Sequence, residues 1–474
     1  MREAKLASNR GATVTIGAEK MEAFGAGIRG ETLFPGDAGY DQARALWNAM
    51  IDRRPGLVVR CAGVADVRRS VDFARENEIL VSVKGAGHNI AGKAVCENGL
   101  MIDLSRMRDV RVDPVGRTAR VGPGATLGDL DHETQAFGLA TSLGINSTTG
   151  VAGLTLGGGF GWLTRKYGLT ADNLLSADVV TADGRLRHAS EKEEPDLFWG
   201  LRGGGGNLGI ATSFEFRLHP VGPTVLAGLV VHPFDAARDV VRRWRELMAK
   251  APEELTCWVV TRKAPPLPFL PEAWHGREVL ILAMVYSGDV ASGEKAAAPL
   301  RQIGKPIADV VGPHAYSAFQ KAFDPLLTPG VRNYWKSHNF TELKDGAIDV
   351  FLKHASRLPS PHCEIFMGNL GGAAGRVPVG ATAYPHRDAN FVMNVHTRWE
   401  KKEDDATCKE WAREVFDEMS PFATGGVYVN FVSEDEDRVS AAYGANYERL
   451  ARVKKQYDPG NLFRVNQNVA PAVA

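Results

Sequence analysis

The residues best able to do chemistry stand in four clusters rich in Gly, Asn and Thr. The first is Lys84-Gly85-Ala86-Gly87-His88-Asn89, directly behind a short apolar run. Glycine lets successive backbone N–H groups turn towards one anion, and a pyrophosphate suits such a nest. His88 follows where it can reach the ring system of the same ligand. On the competing reading it is one structural or exposed His among twelve. The second cluster is Gly144 to Gly161, where seven of eighteen residues are Gly and Ser and Thr fill much of the rest. It offers donors and close approach with almost no bulk, as a flat or extended phosphate ligand requires.

The third cluster, Gly203 to Gly209, formally matches G-x-G-x-x-G at Gly204, Gly206 and Gly209. A nicotinamide-dinucleotide site needs a strand before that motif and a helix after it. Here a helix-like segment precedes and a strand-like one follows. The motif is therefore set aside, and the loop is expected to pack tightly within its own domain. The fourth cluster ends the chain: Asp458-Pro459-Gly460-Asn461-Leu462-Phe463, then Asn466-Gln467-Asn468. Amides can serve the polar edge of a flat heterocycle; a solvated tail is the plainer alternative.

These clusters need elements to hold them. Leu57–Arg60 reads as a short buried strand, and Val67, Val71 and Ala74 give a helical spacing over 66–78. Residues 80–84 form a strand that runs straight into the His88 loop, a β-α-β start. Gly99 to Ser105 holds another strand. Residues 110–122 and 175–190 read as hairpins, the second turning at Asp183-Gly184. Thr126 can cap a helix through Gln135, and Pro195 to Leu201 is a short helix. After Pro220 and Pro223 the texture changes. Long strand-like runs alternate with amphipathic helices at 235–249 and 405–418, which suits a sheet with helices on one face. Ser440 to Val453 reads as one helix, stopped at Asp458-Pro459-Gly460. Residues 1–50 are a weakly patterned lead-in.

Bulk properties exclude several classes. The 474 residues allow two large domains or about three smaller ones. Lys plus Arg and Asp plus Glu both number 56, which gives no support to nucleic acid or an anionic membrane as a partner. No stretch approaches the roughly 18 apolar residues that cross a bilayer. The first residues lack an apolar signal core, so the cytoplasm is the expected location. Five Cys lie far apart without a CxxC pair, which argues against a disulfide framework and against a zinc site. No metal is expected.

Taken together and in this order, the clusters resemble the FAD-linked oxidases of the vanillyl-alcohol-oxidase type, and among them the berberine-bridge-enzyme-like branch. Gly85–His88, the block 144–161, Asp196-Leu197-Phe198-Trp199 with its Gly loop, and residues 457–468 carry the likeness. It covers roughly residues 50–474. The implied fold is α+β: a two-part PCMH-type FAD-binding domain, and a substrate domain whose antiparallel sheet with flanking helices lies over the flavin. The implied division is 1–222 and 223–439, with a C-terminal segment 440–474 returning to the first domain.

The resemblance makes His88 the covalent attachment point of FAD. Many relatives add a second link from a Cys, but Asn146 stands at that place, so a single His link like that of bacterial 6-hydroxy-D-nicotine oxidase is implied. The implied cofactor set is Lys84, Gly85, Ala86, Gly87, His88, Asn89, Gly122, Gly144, Asn146, Ser147, Thr148, Thr149 and Gly150. It continues through Gly153, Gly157, Gly158, Gly159, Phe160, Gly161, Ile210, Asn466, Gln467 and Asn468. Thr149 holds the family's O2-gating position, and its Val-like size favours O2 as acceptor, giving hydrogen peroxide.

Both usual bases are replaced. Phe431 ends the Tyr428-Val429-Asn430-Phe431 strand where relatives carry Tyr, and Val392 stands where others carry Glu. Two readings stay open. In one, no protein base acts, and substrates that lose a proton easily, phenols and amines, are preferred to sugars. In the other, His396 or Tyr428 is the base and Asn430 orients the substrate. Against the second, strands alternate faces, and the sequence does not say which faces the ring. The expected activity is hydride removal from a C–H next to O or N of a small organic substrate. The alternatives are a dehydrogenase using another electron acceptor, and a flavin- or metabolite-binding protein without turnover. A monomer or homodimer is expected.

Overall fold

The computed structural model describes residues 2–433 and 438–473. It is built on three main sheets. In the first, Leu57–Arg60 and Val81–Lys84 both pair in parallel with Leu100–Asp103, and Glu31–Leu33 joins the edge antiparallel. Such parallel pairing needs a crossover, and helix Val64–Glu76 supplies it, burying Val67, Val71 and Ala74. Strand Val81–Lys84 ends where the His88 loop begins.

The second sheet is antiparallel, in the order Leu186–Ser190, Leu174–Val180, Ile210–Arg217, Thr118–Val121, Val110–Asp113. Gly184 turns the first hairpin at φ 76°, a conformation other residues resist. Thr126 caps helix Leu127–Gln135 in a reciprocal pair with Asp129, satisfying N–H groups that the helix itself leaves unpaired.

The third sheet is the largest. Its antiparallel strands run Ala308–Asp309, Thr224–Pro233, Glu278–Tyr286, Leu255–Lys263, Glu364–Asn369, Phe391–Trp399, Arg332–Phe340, with Gly312–Ala315 paired beside Thr224–Pro233. Ile365, Met367, Met393 and Val395 pack on one side against Trp244, Phe351 and Trp411, which come from the helices Ala237–Met248, Asp345–Ala355 and Asp405–Met419. The period of two then turns Glu364, Phe366, Val392, Asn394 and His396 to the other side.

The weakly patterned lead-in forms short elements of its own: Ala4–Ala7 pairs with Thr13–Ile16, and helix Ala18–Ala26 buries Met21 and Phe24. Short elements with few apolar residues leave little period to read. Two expectations need correction. The helix expected at 440–453 is two helices, Val439–Tyr443 and Tyr447–Tyr457, with Gly444 at φ 46° between them. Tyr428–Phe431 is no strand: Val429–Phe431 makes one 3₁₀ turn, whose i→i+3 bonding alternates no faces.

Candidate active site

Two adjoining cavities lie where the Gly-rich loops meet the open side of the large sheet. The main one, about 240 Å³, is lined by the His88 loop, residues 144–154 and the sheet. The other, about 180 Å³, is lined by Gly205, Gly206, Ile210, Tyr443, Asn466 and Gln467 among others. They share Val83, Gly85, Asn89, Ala94, Gly153 and Asn430. Gly153 and Gly206 each have nothing within 4 Å of the position of a missing Cβ, so a side chain there would occupy the cavity itself.

His88 lines the main cavity, stacked on Trp47 at 4.2 Å between ring centroids. Burial, helped by nearby His396, pushes its imidazole down to about 3, so it is neutral at ordinary pH. Its Nε2 is buried without a hydrogen-bond partner.

Across the sheet register, His396 sits directly opposite Glu364. Its Nδ1 is 2.8 Å from a Glu364 carboxylate oxygen, and Arg262 donates to the other oxygen at 3.1 Å. Burial works to raise the Glu364 carboxyl, but the bond from His396 and the charge of Arg262 outweigh it and hold it at about 2. An ionised Glu364 can only accept, so Nδ1 carries the proton and Nε2 keeps its lone pair. That Nε2 has no partner. Burial lowers the His396 pKa, against the pull of Glu364. The result is a neutral, oriented imidazole in the cavity wall. Trp335 lies 4.3 Å from it, ring to ring and perpendicular.

Residues 316–328 bind the two sides together. Gln320 donates to the Gly144 carbonyl at 3.3 Å and the Ser147 N–H to Asp324 at 2.9 Å. Trp47 Nε1 donates to the Leu327 carbonyl at 3.2 Å. Arg398 donates to the carbonyls of Leu326 and Thr328.

Residues 55–190 match the family described as FAD binding domain, and residues 427–470 the family described as berberine and berberine like. The chain is 31% identical to (R)-6-hydroxynicotine oxidase of Paenarthrobacter nicotinovorans, over 94% of this chain and 97% of that one. It is 30% identical to an FAD-linked oxidoreductase of Dictyostelium discoideum, over 94% and 95% respectively. The chain belongs to the berberine-bridge-like FAD-linked oxidoreductases. The fold of this FAD-linked oxidoreductase is similar to that of 6-hydroxy-D-nicotine oxidase from Arthrobacter nicotinovorans, with a TM-score of 0.83, 28% identity and coverage of 94% and 98%. It is an enzyme that oxidises a small substrate with FAD. No helix among the described residues is long and apolar enough to cross a membrane.

The residues singled out in the sequence of this oxidoreductase fall into three groups. Gly85, Ala86, Gly87, His88, Asn89, Gly144, Asn146, Thr149, Gly150, Gly153 and Phe160 line the main cavity, with His396, Tyr428 and Asn430. Ile210, Asn466 and Gln467 line the second. The rest line neither. Lys84 is buried with its ammonium on the Ala43 carbonyl. Gly122 packs on the Met107 carbonyl, Gly157 on Asn430, Gly158 on Tyr384, Gly159 on Thr170 and Gly161 on the Leu143 carbonyl, all too close to admit a Cβ. Thr148 bonds Asn146, Ser147 bonds Asp324, and the Asn468 amide oxygen is buried unpaired.

Tyr428 and Asn430 differ from His396 in kind. The Tyr428 hydroxyl accepts from the Gly159 N–H at 3.1 Å and from the Asn430 amide at 2.9 Å. Burial raises its phenol to about 12. Glu364, Arg262, Trp47, Trp335 and Asn394 were not singled out from the sequence. The one available signal was Glu364 itself, an ionisable residue opening the mostly apolar strand Glu364–Asn369.

The loop Gly203–Gly209 lies between helix Pro195–Leu201 and strand Ile210–Arg217. Contrary to expectation it does more than pack: Gly205, Gly206 and Gly209 line the second cavity. With no helix N-terminus behind it, titration with NADH or NADPH is expected to give neither saturable quenching nor fast bleaching of the flavin. Rapid reduction by either would reverse that assignment.

Proposed function

We propose that this enzyme removes a hydride from a C–H next to O or N of a small organic substrate, with His396 as base, FAD linked covalently through His88, and O2 as acceptor. The observation that carries it is the Glu364–His396 pair: a buried, oriented imidazole with a free Nε2 in the wall of the cavity that also holds His88.

The two cavities fit FAD. The flat end suits the main cavity beside His88, which the residues Gly85 to Asn89 line. The other end suits the second cavity, between Ile210 and the amides of Asn466 and Gln467. Asp458 accepts from the N–H groups of Leu462 and Phe463, and Lys454 donates to the carbonyls of Asn207 and Phe463. Those four bonds fix the tail that carries the amides. When bound, FAD supplies the two-electron acceptor. The chain supplies the rest: aromatic walls exclude water, Asn394 and Asn430 offer amides to a polar substrate atom, and His396 takes the proton.

None of the five cysteines lines either cavity, which supports a single link through His88 beside Asn146. Thr149 in the cavity wall supports O2 as the acceptor. The same reading keeps the division 1–222, 223–439 and 440–474, a monomer or homodimer, and a cytoplasmic place, which five free buried thiols favour.

The test is anaerobic mixing of the holoenzyme with alcohols, sugars, phenols and amines, followed by air. Bleaching by at least one class, with return of colour and release of hydrogen peroxide in air, is the expected result. Bleaching that persists in air and is relieved only by an artificial acceptor makes the enzyme a dehydrogenase. No bleaching by any class defeats the oxidation reading.

A further inference from the structure

A third, smaller cavity of about 60 Å³ adjoins the main one. The two share Ile145, Trp258, Leu327, Glu364 and Phe366. It lies on the same open side of the large sheet, where Val260 and Ile281 stand half-buried on neighbouring strands. Leu267 and Phe269, from the loop between those strands, complete it. Its two charged side chains, Arg262 and Glu364, bond each other. Every other wall side chain is hydrocarbon or indole.

Three observations converge on what these joined spaces accept. On the proposed placement of FAD, its flat end occupies part of the main cavity of about 240 Å³, so a substrate larger than one ring needs further room. The annex offers that room with few free hydrogen-bond partners: beside the Arg262–Glu364 pair, the unbonded buried donors in its wall are the indole N–H groups of Trp162 and Trp258. A sugar ring placed there would bury most of its hydroxyls unpaired, which is unfavourable. Finally, the charges around His396 are one carboxylate, Glu364, and two guanidiniums, Arg262 and Arg398. Arg398 bonds only carbonyl oxygens and stacks over Trp47 at 5.0 Å. This positive balance opposes an ammonium group.

We propose that the annex is a substrate subsite, and that the enzyme takes an uncharged aromatic alcohol whose ring lies in the main cavity and whose apolar substituent fills the annex. This rests on the reading of the main cavity as the site of hydride removal. The carbinol C–H bond breaks and its electron pair leaves as hydride to the FAD. The O–H proton goes to His396 Nε2, and the C=O bond of the aldehyde forms.

The experiment is stopped-flow reduction of the anaerobic holoenzyme by benzyl alcohol and its 4-methyl to 4-hexyl derivatives. A volume of about 60 Å³ holds roughly four or five water-sized groups. The apparent Kd is therefore expected to fall about fourfold per added carbon, the equivalent of ~0.8 kcal/mol per buried CH₂. The gain should stop near the fourth or fifth carbon, and the limiting reduction rate should change little. Val260→Phe fills the annex and should remove the chain-length dependence; Ile281→Phe serves if that variant does not fold. A flat series in the wild type, or a slope that survives both substitutions, overturns the proposal. If the flavin spectrum reports binding that tightens with chain length while no alcohol reduces the flavin, the annex stands and the hydride reading falls.

Discussion

His396→Gln is expected to slow flavin reduction by a factor on the order of 10²–10⁴, the usual contribution of a positioned base, while the FAD content stays that of the wild type. Glu364→Gln tests the same pair from behind. It removes the carboxylate that fixes the Nδ1–H tautomer and that holds the His396 pKa up against burial. The rate should fall again, and the acid limb of the pH–rate profile should move to lower pH. In the wild type the base is active when neutral. Reduction therefore rises with pH through the His396 pKa, which lies below the ordinary histidine value, and then levels off. Two substrates of different acidity should share that inflection. If instead the inflection tracks the substrate's own pKa and His396→Gln changes nothing, the site works without a protein base. That was the first of the two readings open from the sequence.

The other large effect is expected at His88. Denatured wild-type protein should stay yellow, and the flavin-bearing peptide should contain His88. His88→Ala should release all its flavin on denaturation while the folded variant keeps part of it through the two cavities. The chemistry rests on the neutral ring: with the imidazole pushed down to about 3, one of its two nitrogens carries no proton and is a nucleophile at neutral pH. Asn146 bonds Thr148 and the Leu327 carbonyl through its amide and has no thiol to offer a second link. A colourless wild-type pellet with free FAD in the supernatant ends this assignment.

What the sequence disclosed follows the range of the forces involved. The Gly-rich loops and the Thr126 cap are local, set by backbone conformation within a few residues, and they were legible. The strand Phe391–Trp399 was legible as a strand, but the face on which His396 lies depends on which side the helices cover. That is settled by packing between segments far apart in the chain. Glu364 was missed for a related reason: its meaning comes from a register that sets it against His396, 32 positions away. Trp47 sits in a segment without period, and its ring is held by residues distant in sequence: His88, Leu327, Trp335 and Arg398. The helix at 440–453 was overread because helical spacing continues across Gly444, where the chain nonetheless turns into positive φ.

The bonds of residues 316–328 have a mechanical meaning. That segment acts as a bolt. It fastens the loop 144–149 through Gln320 and Asp324, and it fastens Trp47 and Arg398 through the carbonyls of residues 326–328. With the segment held to the large sheet by Arg398, swinging that sheet away as a lid would break the bonds to Gly144, Ser147 and Trp47 together, and it would cost the Asp324 carboxylate and the Leu327 carbonyl those partners. A molecule reaching His396 therefore travels through a fixed frame. Small rotations of wall side chains, rather than parting of the two halves, set how fast it arrives and what shape can pass.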